Sequence, residues 1–594
     1  MLLGPALLGL SLLSPYPASA TGPVLPQGTQ TDAAYAASQA ADHVTNVLAT
    51  AGRTSCFRPE VTYTVNSGPA EGYSGMTPCP ATGATTGEDT GAAGPYATQA
   101  GSNPGYPAAT PMLVKGHSES DLRVDPTDPN HLIGASKWVV SPEGYNHLLG
   151  FYESYDGGHS WPVQGHIPGY EGWTDNTDPV GAFDTWGNYY SLLLPYQFFY
   201  DPDGSHDFTP GASQEPNPAV PSQVISVAVR PHGSTTATRW LSTHGGHPDY
   251  VATYDSIGNG PDKQWIAIDT NPGSPHLNRI YAMWVDFHSK TAVPYVAYAD
   301  ARPDGTHTDW STPQVLPEPP STPQGATYLL PHVAPDGTVY TTLTNSDPAH
   351  RFCCDTIFLD VSHDGGQTWS TVSTVQGNIT PPPGEYANTT FRDGIEDTFT
   401  LGAQPVNGHY PLYVAYDDYS TGVVNVLLTA SYDGGTTWST PILANDNAAP
   451  VDEFQPNLTT AADGTVSVAF YDRRLACPAA GTPEATAAGL ALDTANPKHP
   501  GAPYGAANYC VNTSIQFYDP TLTPIGHNIR LSAHSFDPQL DSPVESGNTF
   551  IGDYFGNTVG GTTDYTTSVS TYDDGTNPGH LQQQLVTSVQ IPHK

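Results

Sequence analysis

Polar clusters rich in carboxylates recur along this chain. They comprise Glu119 with Asp121, Asp175 with Asp178, Asp262 with Lys263, the single His332, Glu396 with Asp397, Asp452 with Glu453, and Asp553 with Tyr554. A second series follows some of them: Asp286, Asp300 with Arg302, Asp417 with Asp418, and Asp472 with Arg473 and Arg474. Carboxyl groups brought together in one site can divide acid and base roles, one protonating a leaving oxygen while another attacks or stabilises the developing cation. That is the chemistry of glycoside hydrolysis. On this reading Asp121, Glu396, Asp397, Glu453, Asp553 and Tyr554 are the catalytic candidates, and Arg123, Asp262, Lys263, Arg473 and Arg474 the substrate-binding ones. The alternative is that the same residues cap strands and hydrogen-bond between repeated units.

The elements that must position these residues are strands. Each cluster opens a run of alternating apolar and polar residues, which is followed by a tight turn and a second run. The clearest copy goes from Phe454-Gln-Pro-Asn457 through Ala462-Asp-Gly464 to Phe470-Tyr-Asp472. Pro335-Asp-Gly337 and Trp186-Gly187 are turn signals at the same place in other copies. Val, Tyr and Thr dominate the runs, and helical periodicity is confined to Asp32 to Leu48.

Three segments repeat a longer phrase, S-x-D-G-G-x-[ST]-W: Ser154 to Trp161, Ser362 to Trp369 and Ser431 to Trp438. The residue types suit a turn, in which Asp folds back onto backbone N–H groups two residues on, the glycines take positive φ, and Trp covers the turn. The phrase resembles the Asp-box of the bacterial neuraminidase repeat found in sialidases. Segments such as Asp262 to Asp269, Phe454-Gln-Pro-Asn457 and Phe550-Ile-Gly-Asp553-Tyr554 resemble blade starts in secreted sialidase-like Asp-box proteins.

The resemblance covers about residues 112 to 590 and implies an all-β propeller of four-stranded blades. Counting starts gives seven blades, or six if the last segment closes the ring differently. It further implies that the blade entries and second-strand exits line one axial funnel, with the Asp-boxes on the opposite face, so that Asp156, Asp364 and Asp433 are turn builders. Sialidases clamp the substrate carboxylate with three arginines and use a Tyr nucleophile activated by Glu. Here Arg123, Arg392, Arg473 and Arg474 are the arginine candidates, and Tyr554 with Glu453 or Glu396 the nucleophile pair. A non-catalytic propeller binding a glycan, a protein or the cell surface is the alternative.

Composition bears on setting and partners. Residues 1–20 combine an apolar run with the cleavage-type end Ala18-Ser-Ala20, so a signal peptide and a secreted, extracellular protein are expected. Residues 21–110, rich in Ala, Gly, Thr and Pro, read as an extension or prodomain before a propeller spanning 111–594. No later stretch is apolar enough for a membrane span. Six cysteines form an even set, with Cys56 to Cys79 and Cys477 to Cys510 the near pairs and Cys353 beside Cys354.

The net charge of −39 arises because Lys plus Arg number only 18 against 57 acids. A deficit of bases rather than a surplus of acids suits an acidic niche, and it excludes nucleic acid as a partner. A glycan or glycoconjugate is the expected partner, and a monomer the expected state. His244-Gly-Gly-His247-Pro-Asp249 offers metal-binding residue types, and Asp201 to Asp207 has the flavour of a calcium loop. Both are read as solvated turns; no metal or cofactor is assigned, a structural calcium ion being the alternative.

Overall fold

The computed structural model describes residues 116–592 except 140–146, 171–174, 197–222, 255–258, 289–291, 318–325, 347–353, 387–396, 491–509, 539–543 and a few isolated positions. N-terminal to these it describes Thr31, Ala34 and three short strands, Ala49–Arg53, Cys56–Phe57 and Met76–Thr77. Seven antiparallel sheets follow one another in chain order. Their innermost strands, blade by blade, are Gly116–Asp125, Asp175–Phe183, Asn259–Ile268, His332–Val333, Thr398–Leu401, Glu453–Thr460 and Asn557–Gly560. The molecule is a seven-bladed β-propeller, as the repeat count anticipates.

The ring is closed by a strand from the extension. In blade 7, Asn557–Gly560, Thr563–Ser570 and Gln583–Gln590 are joined on their outer edge by Ala49–Arg53, in register Ala49 to Val589 through Arg53 to Leu585. A pairing between the two ends of the chain resists opening of the ring, because the blade cannot part without losing a ladder of backbone hydrogen bonds.

Neighbouring blades bury apolar faces against one another. Val180, Leu192 and Val227 of blade 2 pack on Ile266, Ile280 and Trp284 of blade 3, and Tyr413 and Leu428 of blade 5 pack on Val468 and Phe470 of blade 6. The alternation that marks these strands in the sequence is what supplies such two-sided packing.

Each Asp-box is a self-contained hydrogen-bonded turn. Ser431 Oγ donates to Asp433 Oδ1 at 2.8 Å and accepts from Gly435 N at 2.9 Å, while Thr437 donates its N–H and hydroxyl to the two Asp433 oxygens at 2.9 and 2.6 Å. The Ser154 and Ser362 copies repeat these bonds. The Asp therefore reaches four residues on, not two, because the Ser hydroxyl already occupies the intervening N–H. Both glycines lie at φ near 70° to 90° in all three copies, for example 73° and 87° at Gly434 and Gly435.

Cys477 and Cys510 are disulfide-bonded, with Cα atoms 5.5 Å apart. Cys354 is also in a disulfide, with a partner outside the described residues. Cys79, Cys353, the side chain of Cys56, the leader, the calcium-like loop and most of the Asp32–Leu48 segment also lie outside the described residues. One expectation is corrected: Asp300 and Arg302 end a third strand on the Asp-box face, not a second strand at the funnel. Asp300 pairs there with Arg279, which also reaches Gly365 O of an Asp-box.

Candidate functional site

Four inner strands carry the same irregularity at the same place. The register shifts between Ser118 and Asp121, Thr177 and Val180, Asp262 and Trp265, and Phe454 and Asn457. The residue within each bulge has positive φ: Glu119 at 50°, Asp178 at 54°, Lys263 at 53° and Gln455 at 54°. Left-handed backbone is costly for such side chains and persists only where surroundings impose it. In blade 7 the matching turn is made by Gly552 (φ 103°), where an added Cβ would stand 2.6 Å from the Glu119 backbone N. A run such as Ser-Glu-Ser-Asp or Asp-Lys-Gln-Trp does not announce this conformation; only the alignment of starts hints at a common role.

The bulges concentrate charge at the axis. Lys263 Nζ lies 2.6 Å from Asp553 Oδ2, and Lys137 Nζ lies 3.7 Å from Glu119 Oε2. Glu119 and Asp178 hydrogen-bond through their carboxyl groups. Burial, reinforced by the charge on Asp178, pushes Glu119 well above the usual carboxylate range. Burial also opposes charge on Asp178, but the hydrogen bond from Glu119 and the Lys137 and Lys263 ammonium groups outweigh it and keep that carboxyl ionised. One proton thus serves two carboxyls. Asp262 is pushed up to about 6, by burial above all and by Asp178 and Asp553 against the pull of Lys263.

Beneath this cluster lies a cavity of about 320 Å³, lined among others by Arg123, Asp178, Lys263, Trp265, His332, Asp397, Asn457 and Tyr554. Arg123 is held by Asp121 Oδ1 at 2.9 Å and donates from Nε to Gly181 O at 2.7 Å, while Gly181 N donates to Asp121 Oδ2 at 2.8 Å. The guanidinium sits 5.9 Å from the centre of the Trp265 ring, and Tyr554 meets Trp265 edge-on at 5.5 Å. The Tyr554 hydroxyl donates to Pro179 O at 3.2 Å. Asp397 accepts a hydrogen bond from the Thr344 hydroxyl, and its burial raises the carboxyl to about 6. Burial lowers His332 to about 4, keeping its ring neutral.

The predicted residues divide accordingly. Arg123, Lys263, Asp397 and Tyr554 share the cavity, Asp262 and Asp553 join the cluster above it, and Asp121 is buried behind Arg123 as its holder. Glu453, Arg473 and Arg474 do not line the cavity. Glu453 is fully buried near Asp472 and Arg474, Arg473 bonds Asp452 at 2.7 Å, and Arg474 bonds Asp446 and Asp472, each at 2.6 Å. These groups hold blade 6 to the loop before it. Glu396 and Arg392 lie outside the described residues. Trp265, which sequence reasoning placed only within a blade start, is a wall of the cavity, and of the entry carboxyls Glu119 and Asp178, which couple to one another, Asp178 lines it.

No family model and no curated protein matches this sequence. Solved structures that resemble it include a leech intramolecular trans-sialidase (11% identity, 62% of this chain and 67% of that one, TM-score 0.37). Another is the intramolecular trans-sialidase from Ruminococcus gnavus (13%, 63% and 93%, 0.38). A third is the alpha-L-arabinanase of Penicillium chrysogenum (10%, 69% and 92%, 0.34). Its neighbours are thus sialidases and other glycoside hydrolases. The roles of individual residues rest on the geometry described above.

Proposed function

We propose that this protein is a secreted, sialidase-like glycoside hydrolase that acts on extracellular glycans under acidic conditions, with the axial cavity as its saccharide site. The observation that carries this reading is the presence of two differently tuned carboxyls in one aromatic-lined cavity: Asp178, kept ionised, and Asp397, raised to about 6. Such a pair divides acid from base without a metal. Asp397, protonated below about pH 6, serves as general acid. Asp178 stabilises or attacks the anomeric centre. Arg123 anchors an anionic or hydroxyl-rich sugar, and Trp265 and Tyr554 offer ring faces to it.

The test is a panel of chromogenic glycosides, including sialosides and arabinosides, assayed from pH 3 to 7 with the wild type and with Asp178→Asn and Asp397→Asn. Hydrolysis that falls as pH rises past about 6, and at least about a hundredfold loss in each variant, supports the reading. Turnover untouched by both substitutions sinks it.

One observation favours a binding function instead. Arg123 is the only arginine among the described residues lining the cavity, and its guanidinium is already engaged by Asp121 and Gly181. On that reading no glycoside is cleaved, but glycans are retained on an array by the wild type and lost with Trp265→Ala.

A further inference from the structure

Blades 1, 4 and 5 carry Asp-boxes between their third and fourth strands; blades 2 and 3 do not. In blade 2 the same connection contains a small hairpin, Thr243–His244 paired with His247–Pro248, its tip made by Gly245 and Gly246 at φ 59° and 84°. In blade 3 it runs through Asp304-Gly305-Thr306-His307-Thr308-Asp309-Trp310. The two connections meet. His307 Nε2 lies 2.7 Å from Asp249 Oδ2, and the His244 ring stacks on that of His307 with centroids 4.7 Å apart. One ligand atom from each of His244, Asp249 and His307 falls within 4.8 Å of the others.

We propose that His244, Asp249 and His307 bind one divalent transition-metal ion of the zinc class, which staples blade 2 to blade 3 on the Asp-box face. Two imidazoles and one carboxylate are a ligand set for zinc or its neighbours rather than for calcium or magnesium, which select oxygen. The outer contacts a metal site needs are already in place. The other His307 nitrogen, Nδ1, hydrogen-bonds Thr308 O at 2.7 Å, and the other Asp249 oxygen, Oδ1, accepts from Trp310 Nε1 at 3.2 Å. These bonds turn Nε2 and Oδ2 toward one another.

Asp249 and His307 are buried, whereas the His244 side chain is 28% exposed and paired with the 96% exposed Asp309, so His244 is the ligand that shifts to close the remaining gap onto an ion. Asp309, whose Oδ1 lies 2.8 Å from His244 Nε2, stands at the open side as a further oxygen donor. The ligands come from two blades, so an ion held here acts on their separation and not on the axial cavity.

The experiment uses the full chain, stripped with EDTA, reloaded with zinc ions alone and desalted, with metal content and thermal midpoint measured. One zinc per chain and a raised midpoint are expected for the wild type. His244→Ala, at a partly exposed position, should weaken zinc binding at least about tenfold and remove the rise. His247→Ala, in the same hairpin but outside the trio, should leave both intact. Well under half an ion per chain in the wild type, or equal losses in His244→Ala and His247→Ala, overturns the proposal and leaves an ion pair between His307 and Asp249.

Discussion

Glu119 and Asp178, on the inner strands of adjacent blades and both in left-handed backbone, share one proton between their carboxyl groups. The proton sits on Glu119, and the negative charge on Asp178 faces the cavity. Because the pair is buried, its two members respond differently to substitution.

Glu119→Gln preserves a donor to Asp178 without a titrating proton, so stability should change by less than about 1 kcal/mol. Glu119→Ala leaves Asp178 without that donor and should cost about 3 kcal/mol. Urea unfolding of both variants measures the difference; equal costs would show that no hydrogen bond links the two carboxyls.

Lys263 and Asp553 form the second buried contact across the axis, with side chains 14% and 4% exposed. Lys263→Met removes the ammonium that faces the buried Asp553 carboxylate and should destabilise the fold by about 3 kcal/mol, while adding Asp553→Leu should recover part of that loss. A double-mutant cycle without recovery contradicts a direct pairing.

Stability should be greatest in mild acid. Burial raises Asp564 and Asp360 to about 7, and Asp262 and Asp397 to about 6, so the folded state holds protons that the unfolded chain has released above about pH 4. Each group therefore costs up to about 1.4 kcal/mol per pH unit as pH rises from about 4 to its folded value. His131 acts in the same sense. Burial opposes its charge, but hydrogen bonds to Asp125 and Glu153 outweigh this and lift it to about 9, so its contribution is complete below about 6.5 and lost on the way to 9. Below about 4 the trend reverses, as Asp364, held near 2 by its Asp-box bonds, Glu153 and Asp178 are protonated. Urea midpoints should be higher at pH 5 than at pH 8; the opposite order refutes this.

The Asp-boxes should be structural alone. Asp433→Ala removes the acceptor for Ser431 and Thr437 and should cost about 1 to 2 kcal/mol. Glycan binding or turnover at the axial cavity should be unchanged when measured below the lowered melting point.

Blade number and turn placement were legible because they depend on short-range bonds. The Asp-box closes within eight residues, and Thr338 and Thr465 each bond an Asp two residues earlier in their hairpins. The three Asp-boxes therefore set a register to which the recurring polar entries and turns align as seven starts. The cavity was legible in part: Arg123, Lys263, Asp397 and Tyr554 stand at predicted starts. Arg473 and Arg474 do not line the cavity, and in sequence a strand-end arginine looks the same whether it faces a funnel or bonds Asp452, Asp446 and Asp472.

By itself the sequence determined the repeat, its turns, the alternation that pairs the sheets and the shortage of basic residues. Tertiary structure decided which polar residues meet. Lys263 finds Asp553 across 290 positions, Arg123 finds Gly181 across 58, and His307 finds Asp249 across 58. Closing the ring brings every inner strand to one axis, and the positive-φ bulges then turn Glu119, Asp178 and Lys263 toward it. A local pattern cannot carry that information, because the energy of such buried charges depends on partners the chain supplies only after it has closed on itself.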